Sequence, residues 1–423
     1  MQKTMQKVRG TQDWLSDQSY YFRSLEAQFY QKAAAYGFGE VKTPIFEHSE
    51  VFHRTLGETS DVVSKETYTF LDRSDESLTL RPEGTAGIAR CFISEGLAQK
   101  IPLKLYYCGP MFRYERPQKG RLRQFHQLGI EVLGLDSPSV DVECLQLGQE
   151  LLKTLGISEK CSLQLNTLGD MESRIAYKEA LVTYYQQYVN DLSAESKVRL
   201  EKNPLRILDS KDAKDIEINQ SAPKLIEHLN EASKNYFDTL LNLLNQLGLK
   251  YELNNKLVRG LDYYCHTVFE YVTKELGAQG TVLAGGRYDG LIEMMGGPKT
   301  PGVGWAAGIE RLVELADKEK LKNSPQVISL IAADPEGEVE VLKLATDLRA
   351  LNFKSAFVFE IIYGGNVGKK MKKAANKNSD WVVIIGNSEI QKKVVMAKNM
   401  KTGQQQEVSN TVEAIKQLFE GPK

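Results

Sequence analysis

The chain has 423 residues, 42% hydrophobic and 26% charged, a globular balance with length enough for two or three domains and a proper core. No run approaches the roughly 18 uncharged apolar residues of a membrane span, and a formal net charge of -1 supplies no overall basic field for a polyanion. Five scattered cysteines (Cys91, Cys108, Cys144, Cys161 and Cys265), none in a CxxC pair, suggest neither a disulfide framework nor a structural zinc site and read as buried thiols.

Near the start, Lys3, Lys7 and Arg9 lead into no apolar stretch, so no secretory signal is expected and the protein reads as cytoplasmic. Residues 20–36 carry Phe22, Leu25, Phe29, Ala33 and Tyr36 at helical spacing, and Gly37 is a natural stop. Short strand-like runs follow at 41–46, 67–71 and 77–80. Residues 104–115 and 124–133 predict two longer strands of an antiparallel hairpin, joined by a loop rich in Arg, Lys and Gly. From about 170 to 250 the pattern turns helical, above all over 175–188 and 225–247, which reads as a helical insertion. Strand character returns over 261–272, ahead of a glycine-dense region at 277–308. Beyond a polar linker at 318–324, apolar runs at 327–332, 355–359 and 381–385 alternate with helices at 338–351 and 367–377. That alternation is the pattern of a small α/β domain. Basic charge gathers here, with eleven lysines against five acidic residues over 369–423.

Alternation along 124–133 puts His126, Leu128, Ile130 and Val132 on one face, fit for a core. The other face carries Phe125, Gln127, Gly129 and Glu131, an aromatic, an amide and a carboxylate with a glycine leaving room between them. Across the hairpin Arg113 and Glu115 share a face, and the loop adds Arg116, Lys119, Arg121 and Arg123. Each residue alone suits a wet strand surface; together they form one apolar face and one of converging polar groups, as a small-molecule site requires. Three further patches repeat the idea: Thr79-Leu80-Arg81-Pro82-Glu83-Gly84-Thr85, Leu257-Val258-Arg259-Gly260-Leu261-Asp262-Tyr263-Tyr264, and Gly302 to Leu312 with Arg311 on a helix. There is no GK[ST] phosphate loop, and Ala307 breaks a GxGxxG reading. The five histidines are scattered without a nucleophile signature and read as structural or surface residues.

These patches resemble the signature segments of class II aminoacyl-tRNA synthetases. Gly37-Phe38 with Pro44 is similar to motif 1, Phe112-Arg113-Tyr114-Glu115 with its loop to Phe125 to motif 2, and Gly302 to Leu312 to motif 3. The segments Leu257 to Tyr264 and Ala284-Gly285-Gly286-Arg287-Tyr288-Asp289-Gly290-Leu291 resemble the histidyl-tRNA synthetase family specifically, and the likeness runs from Arg9-Gly10-Thr11 to the C-terminal region. The resemblance implies an α+β catalytic domain on an antiparallel sheet over 1–324, with the helical insertion inside it. Residues 325–423 would be an α/β anticodon-binding domain whose Lys369, Lys370, Lys372 and Lys373 meet tRNA phosphates. It implies ATP and Mg²⁺, L-histidine, tRNA(His) and a second copy of the chain as partners, with neither membrane nor DNA. Arg113 would bind the α-phosphate, Arg311 the far end of the triphosphate and Arg121 the γ-phosphate, with Phe125 stacked on adenine and Glu115 near its amino group. Glu83, Thr85 and Gln127 would hold the histidine ammonium, and Glu131 and Tyr264 the imidazole nitrogens. Tyr263 and Tyr288 would line the pocket, and Arg259, with Arg113, would act at the reacting carboxylate and phosphate.

The principal rival is a non-catalytic, histidine-sensing regulatory paralogue on the same fold. Retention of Arg113, Arg259 and Arg311, and of the C-terminal domain, weighs against it. A synthetase for threonine, proline or glycine is disfavoured by Leu257 to Tyr264. A nucleotide-independent RNA-binding protein would leave the polar face around Glu83, Gln127 and Glu131 without a purpose.

Overall fold

Helical spacing turns Leu25, Phe29 and Ala33 to the buried face of the helix Ser16–Ala35, and Gly37, at φ +80°, reverses the chain after it. The computed structural model describes residues 4–56, 66–116, 121–208, 210–257, 263–277, 280–321, 325–353 and 356–420. The chain divides into two units, Met1–Lys322 and Asn323–Lys423.

The first unit is built on strands β1 (Gly39–Glu40), β2 (Phe46–His48), β3 (Tyr68–Leu71), β4 (Ser77–Leu80), β5 (Leu103–Phe112), β6 (Gln124–Leu133), β7 (Cys161–Thr167), β8 (Glu252–Leu253), β9 (Cys265–Thr273), β10 (Thr281–Arg287) and β11 (Gly302–Gly308). Among the described residues the large sheet runs β1-β5-β6-β11-β10-β9-β7-β8. Its interior pairs are antiparallel, and only the short edge strands β1 and β8 pair in parallel. Strands β2, β4 and β3 make a separate small sheet. One face of the large sheet is apolar: Leu128, Ile130 and Val132 of β6 share a buried cluster with Trp305 of β11 and Leu145 and Leu151 of the helix Pro138–Thr154. The opposite face carries the polar site.

β6 follows the alternation expected of it, but other elements differ. Of the run expected at 41–46 only Phe46 is strand: β1 ends before it at Glu40 and β2 starts at its last residue, with Arg81 taking the carbonyl of Thr43 at 2.9 Å and Pro44 offering no N–H for a ladder. The strand expected over 104–115 ends at Phe112. The N–H of Arg113 still meets the carbonyl of Arg123 (2.9 Å), but that of Tyr114 turns to the carbonyl of Glu66 (2.6 Å), so the pairing ends there. The helix expected over 225–247 is broken into a turn, Leu225–His228, and a helix, Glu231–Gln246, which the side chain of Asn230 caps by accepting the N–H of Ser233.

In the second unit β12 (Gln326–Ala332), β13 (Phe357–Ile361), β14 (Trp381–Ile385), β15 (Val394–Asn399) and β16 (Gln405–Ser409) lie in the order β13-β12-β14-β15-β16. The first two pairings are parallel and the last two antiparallel. Helices Pro335–Ala350 and Val412–Glu420 bury Val341, Leu344, Ile415 and Phe419 with Phe359 and Val383. Strands β15 and β16 and the last helix go beyond what the pattern announced. No helix of the described residues is long and apolar enough to cross a membrane.

Candidate active site

The site is assembled from β5, β6, β10 and β11, with the chain that follows β4. Register places Gly304 of β11 opposite Glu131 of β6, and a Cβ at Gly304 would collide with the Glu131 carboxylate. Gly129 likewise faces Tyr107 across the hairpin and leaves room for its ring. Glu131 is only 1% exposed. Thr85 donates its hydroxyl to Glu131 Oε1 at 2.7 Å, and the Tyr288 phenol donates to Oε2. Burial pushes the Glu131 carboxyl up to about 8, against these two hydrogen bonds. Glu83, also buried, accepts the N–H groups of Thr85 (2.7 Å) and Ala86 (2.8 Å) at the start of the helix Thr85–Ser94, and burial raises its pKa too. The tyrosine rings stack in series, Tyr263 on Tyr264 at 4.6 Å and edge-on to Tyr288 at 5.8 Å. Gln127 Oε1 is buried and has no hydrogen-bond partner among the described residues.

These groups open into a cavity of about 400 Å³ whose remaining charged side chains are three arginines and three glutamates. Arg113, Arg121 and Arg311 all line it. Arg113 lies over the Phe125 ring at 5.3 Å and donates to the carbonyl of Pro82 at 3.0 Å. Arg121 pairs with Glu115 at 2.6 Å. Arg311 donates to the carbonyl of Thr281 at 2.6 Å, and its pKa is lowered by burial and then by the charge of Arg121, with Arg113 adding to the effect. Three guanidinium groups that act on one another, with Glu115 and Glu270 partly offsetting them at Arg311, offer a set of charged donors for a polyanion. Phe125 gives the same cavity an aromatic wall.

A family model described as histidyl-tRNA synthetase matches residues 10–312, and one described as an anticodon binding domain matches residues 326–418. The chain belongs to the histidyl-tRNA synthetase family. Among similar proteins is a histidine–tRNA ligase of Rhodospirillum rubrum, 52% identical over 96% of this chain and 97% of its own length. One of Wolbachia pipientis is 48% identical over 97% and 100%. The structure of apo histidyl-tRNA synthetase from S. aureus superposes with a TM-score of 0.81 at 32% identity, covering 99% of this chain and all of that one. A protein titled ATP phosphoribosyltransferase regulatory subunit/histidyl-tRNA synthetase, from Bacillus halodurans, has a TM-score of 0.65 at 24% identity, covering 92% and 100%; at that identity it speaks to the fold alone. The class II architecture is thus the family's own, an antiparallel-rich catalytic sheet followed by an anticodon-binding domain with a sheet of its own.

Of the residues singled out in the sequence, Glu83, Thr85, Arg113, Glu115, Arg121, Phe125, Gln127, Tyr263, Tyr264, Tyr288 and Arg311 line this one cavity. Glu131 sits just beneath it through Thr85 and Tyr288. Arg259, like Lys119, Leu261 and Asp262, lies outside the described residues. Three more residues, Tyr107, Glu270 and Thr281, belong to the neighbourhood and escaped the sequence reading, while Glu310 lies in the motif 3 segment without a role assigned to it there. Tyr107 places a buried phenol, with no hydrogen-bond partner among the described residues, beside Gly84 and Gly129. Glu270 and Thr281, hydrogen-bonded at 2.8 Å, line the cavity near Arg311, as does Glu310, which accepts both the N–H (3.0 Å) and the ring Nδ1 (2.9 Å) of His126. Glu270, the one acidic residue of β9, was a usable signal. Arg81, by contrast, is spent on carbonyls of Thr43 and Pro110 (2.9 Å each), a structural tie. Of the four lysines on the helix Val367–Asn376, Lys370 and Lys373 donate to carbonyls of Ala332 and Tyr363, while Lys369 and Lys372 are exposed.

Proposed function

We propose that this cavity is where the chain activates L-histidine with ATP, releasing pyrophosphate, before the histidyl group passes to the 3′-terminal adenosine of tRNA(His). The chain is a histidine–tRNA ligase, an aminoacyl-tRNA synthetase of class II, by its full-length kinship. The single observation that carries the assignment of chemistry to place is the lining of the cavity: Glu83, Thr85 and Gln127, with Glu131 beneath them, and Arg113, Arg121 and Arg311 in the same space as Phe125.

The ammonium of histidine would meet Glu83, Thr85 and the open carbonyl of Gln127, which is an acceptor set for a cation. Its imidazole would lie between Glu131 and Tyr264, with Tyr263 and Tyr288 as walls. Its carboxylate, ionised at neutral pH, attacks the α-phosphorus in line and needs no general base. Two anions approach one another in that step, and Arg113 at the α-phosphate and Arg259 across the carboxylate and α-phosphate would offset the repulsion in the transition state. Planar guanidinium forks bridge two oxygens where an ammonium cannot. Phe125 would stack on adenine with Glu115 at its amino group, and Arg121 and Arg311 would hold the outer phosphates and so favour departure of pyrophosphate. Mg²⁺ would arrive with ATP. Glu270 and Glu310, both lining the cavity near Arg311, are the carboxylates on offer to share it with phosphate oxygens. Bound there, it would neutralise charge on the triphosphate.

We assign residues 1–324 to catalysis and 325–423 to anticodon binding, with a homodimer formed through the motif 1 region and the cytoplasm as the place of work. Exposed Ile45, Phe46, Phe70 and Leu71 near the small sheet support the dimer, which sedimentation would detect. The regulatory reading lacks comparable support, since the relatives that match the whole chain at about half identity are ligases. The deciding experiment is ATP–pyrophosphate exchange without tRNA, histidine against other amino acids. Exchange with histidine alone is expected; histidine binding without exchange would restore the regulator.

A further inference from the structure

The residue whose phenol meets Glu131 is held from both sides. Just before Tyr288, the fully buried Arg287 guanidinium reaches Asp141 Oδ1 through Nη2 (2.6 Å) and Nε (3.2 Å). Its Nη1 meets Asp289 Oδ1 (2.9 Å) and the carbonyl of Leu135 (3.1 Å). Asp141, on the helix Pro138–Thr154, also accepts the hydroxyl of Thr267 (2.5 Å) and the phenol of Tyr236 (3.2 Å). Just after Tyr288, the same Asp289 oxygen accepts the N–H of Gly302 at 3.1 Å, while the N–H of Tyr288 donates to the Gly302 carbonyl at 2.7 Å. The Tyr288 ring lies where a Cβ at Gly302 would be.

A buried ion pair is a poor way to gain stability, because desolvation offsets much of the attraction and apolar residues of the same volume often serve as well. What this one does supply is direction. Asp141 comes from a helix on the apolar side of the sheet, Thr267 from β9 and Gly302 from β11, so three separate elements fix the two residues that flank Tyr288. A phenol anchored in this way can hold the sub-ångström placement that recognition by hydrogen bonds demands. We propose that Asp141, Arg287 and Asp289 form a positioning clamp that sets the Tyr288 phenol on Glu131 and so determines which acceptor the pocket presents to the imidazole of histidine. The clamp rests on the pocket reading given above. It is expected to act at the amino-acid end, since its polar contacts run to Thr267, Tyr236, Leu135 and Gly302, around Tyr288.

The test is a double-mutant cycle in ATP–pyrophosphate exchange, reading KM for histidine and KM for ATP separately, with Asp289→Asn, Tyr288→Phe and the two combined. Asp289→Asn is expected to raise the histidine KM about tenfold, as loss of one charge-assisted hydrogen bond would, and to leave the ATP KM unchanged. In the Tyr288→Phe background it should add nothing further, because the phenol through which it acts is gone. Effects that add in full would show Asp289 acting by another route and overturn the clamp. A harmless Asp289→Asn beside a damaging Tyr288→Phe would also overturn it while leaving the pocket reading standing, and two harmless substitutions would remove both. A second variant replaces the pair, Asp141→Leu with Arg287→Met, an apolar exchange expected to fold; a raised histidine KM at constant ATP KM supports the clamp, and an unchanged one overturns it.

Discussion

Glu131 concentrates the physical tension of the site. Its carboxyl is buried beside a second buried acid, Glu83, and both of its oxygens are already engaged, one by Thr85 and one by Tyr288. A carboxyl whose pKa is about 8 when folded and about 4.3 when unfolded keeps its proton in the native state across a window in which the unfolded chain has lost it. Stability from this group is therefore fully present below the unfolded value and lost as pH rises toward about 8. The slope within the window approaches about 1.4 kcal/mol per pH unit. Urea unfolding of the protein and of Glu131→Gln at pH 5.5 and 7.5 checks this. The native protein should lose stability relative to the variant on going to the higher pH, and parallel behaviour would show the carboxyl titrating in its ordinary range. In the same variant histidine-dependent exchange should fall by roughly 100-fold or more in kcat/KM, the penalty for leaving a polar partner unmatched, with the ATP KM little changed.

At the scale of the element, the helix Thr85–Ser94 shows how function and folding share a side chain. Its N-cap is Gly84, which has no side chain to offer and cannot gain one, because a Cβ there would strike the Tyr107 ring. Capping passes to Glu83, which takes the N–H groups of Thr85 and Ala86. Glu83→Ala should thus cost about 1–2 kcal/mol of stability as well as raise the histidine KM, whereas Glu83→Gln, keeping one acceptor oxygen, should raise KM with a smaller stability loss. Thermal unfolding alongside exchange kinetics separates the two, and equal stability losses would show that the cap does not depend on the carboxylate. Local pattern made much of this readable. Strict alternation over Gln124–Leu133 gave both the limits of β6 and the residues facing the cavity. What stayed hidden depends on partners far away in the chain. The break between β1 and β2 needs Arg81 to reach Thr43, and Tyr107 reads as one more aromatic until register sets it against Gly129. Asp141 and Arg287 are 146 positions apart, and neither sits in a pattern that announces the other. β16 is mostly exposed and polar, so no apolar run marks it.

At the scale of the molecule, each of the two units has its own buried clusters among the described residues. In the first unit the large sheet packs Leu128, Ile130 and Trp305 against the helices Ser16–Ala35 and Pro138–Thr154, and everything that lines the cavity belongs to this unit. The second has its own core of Ile328, Leu330, Val341, Phe359, Val383 and Phe419. Its overall basic character, with Lys369 and Lys372 exposed on the helix Val367–Asn376, suits contact with phosphates rather than chemistry. Removing residues from Pro325 onward should therefore leave a folded protein whose histidine-dependent pyrophosphate exchange stays within a few-fold of the full chain. Charging of tRNA should fall by on the order of 100-fold, which corresponds to about 2.7 kcal/mol of lost tRNA binding. The full-length protein should show the complementary behaviour in salt, with charging weakened much more steeply than exchange, because phosphate contacts are lost through counterion competition and the adenylate reaction makes none with tRNA. Measuring both activities on both proteins across a salt series settles the division of labour. Equal loss of exchange and charging on truncation would mean that the second unit supports the catalytic fold itself. Equal salt slopes in the full-length protein would mean that its lysines do not meet the tRNA backbone.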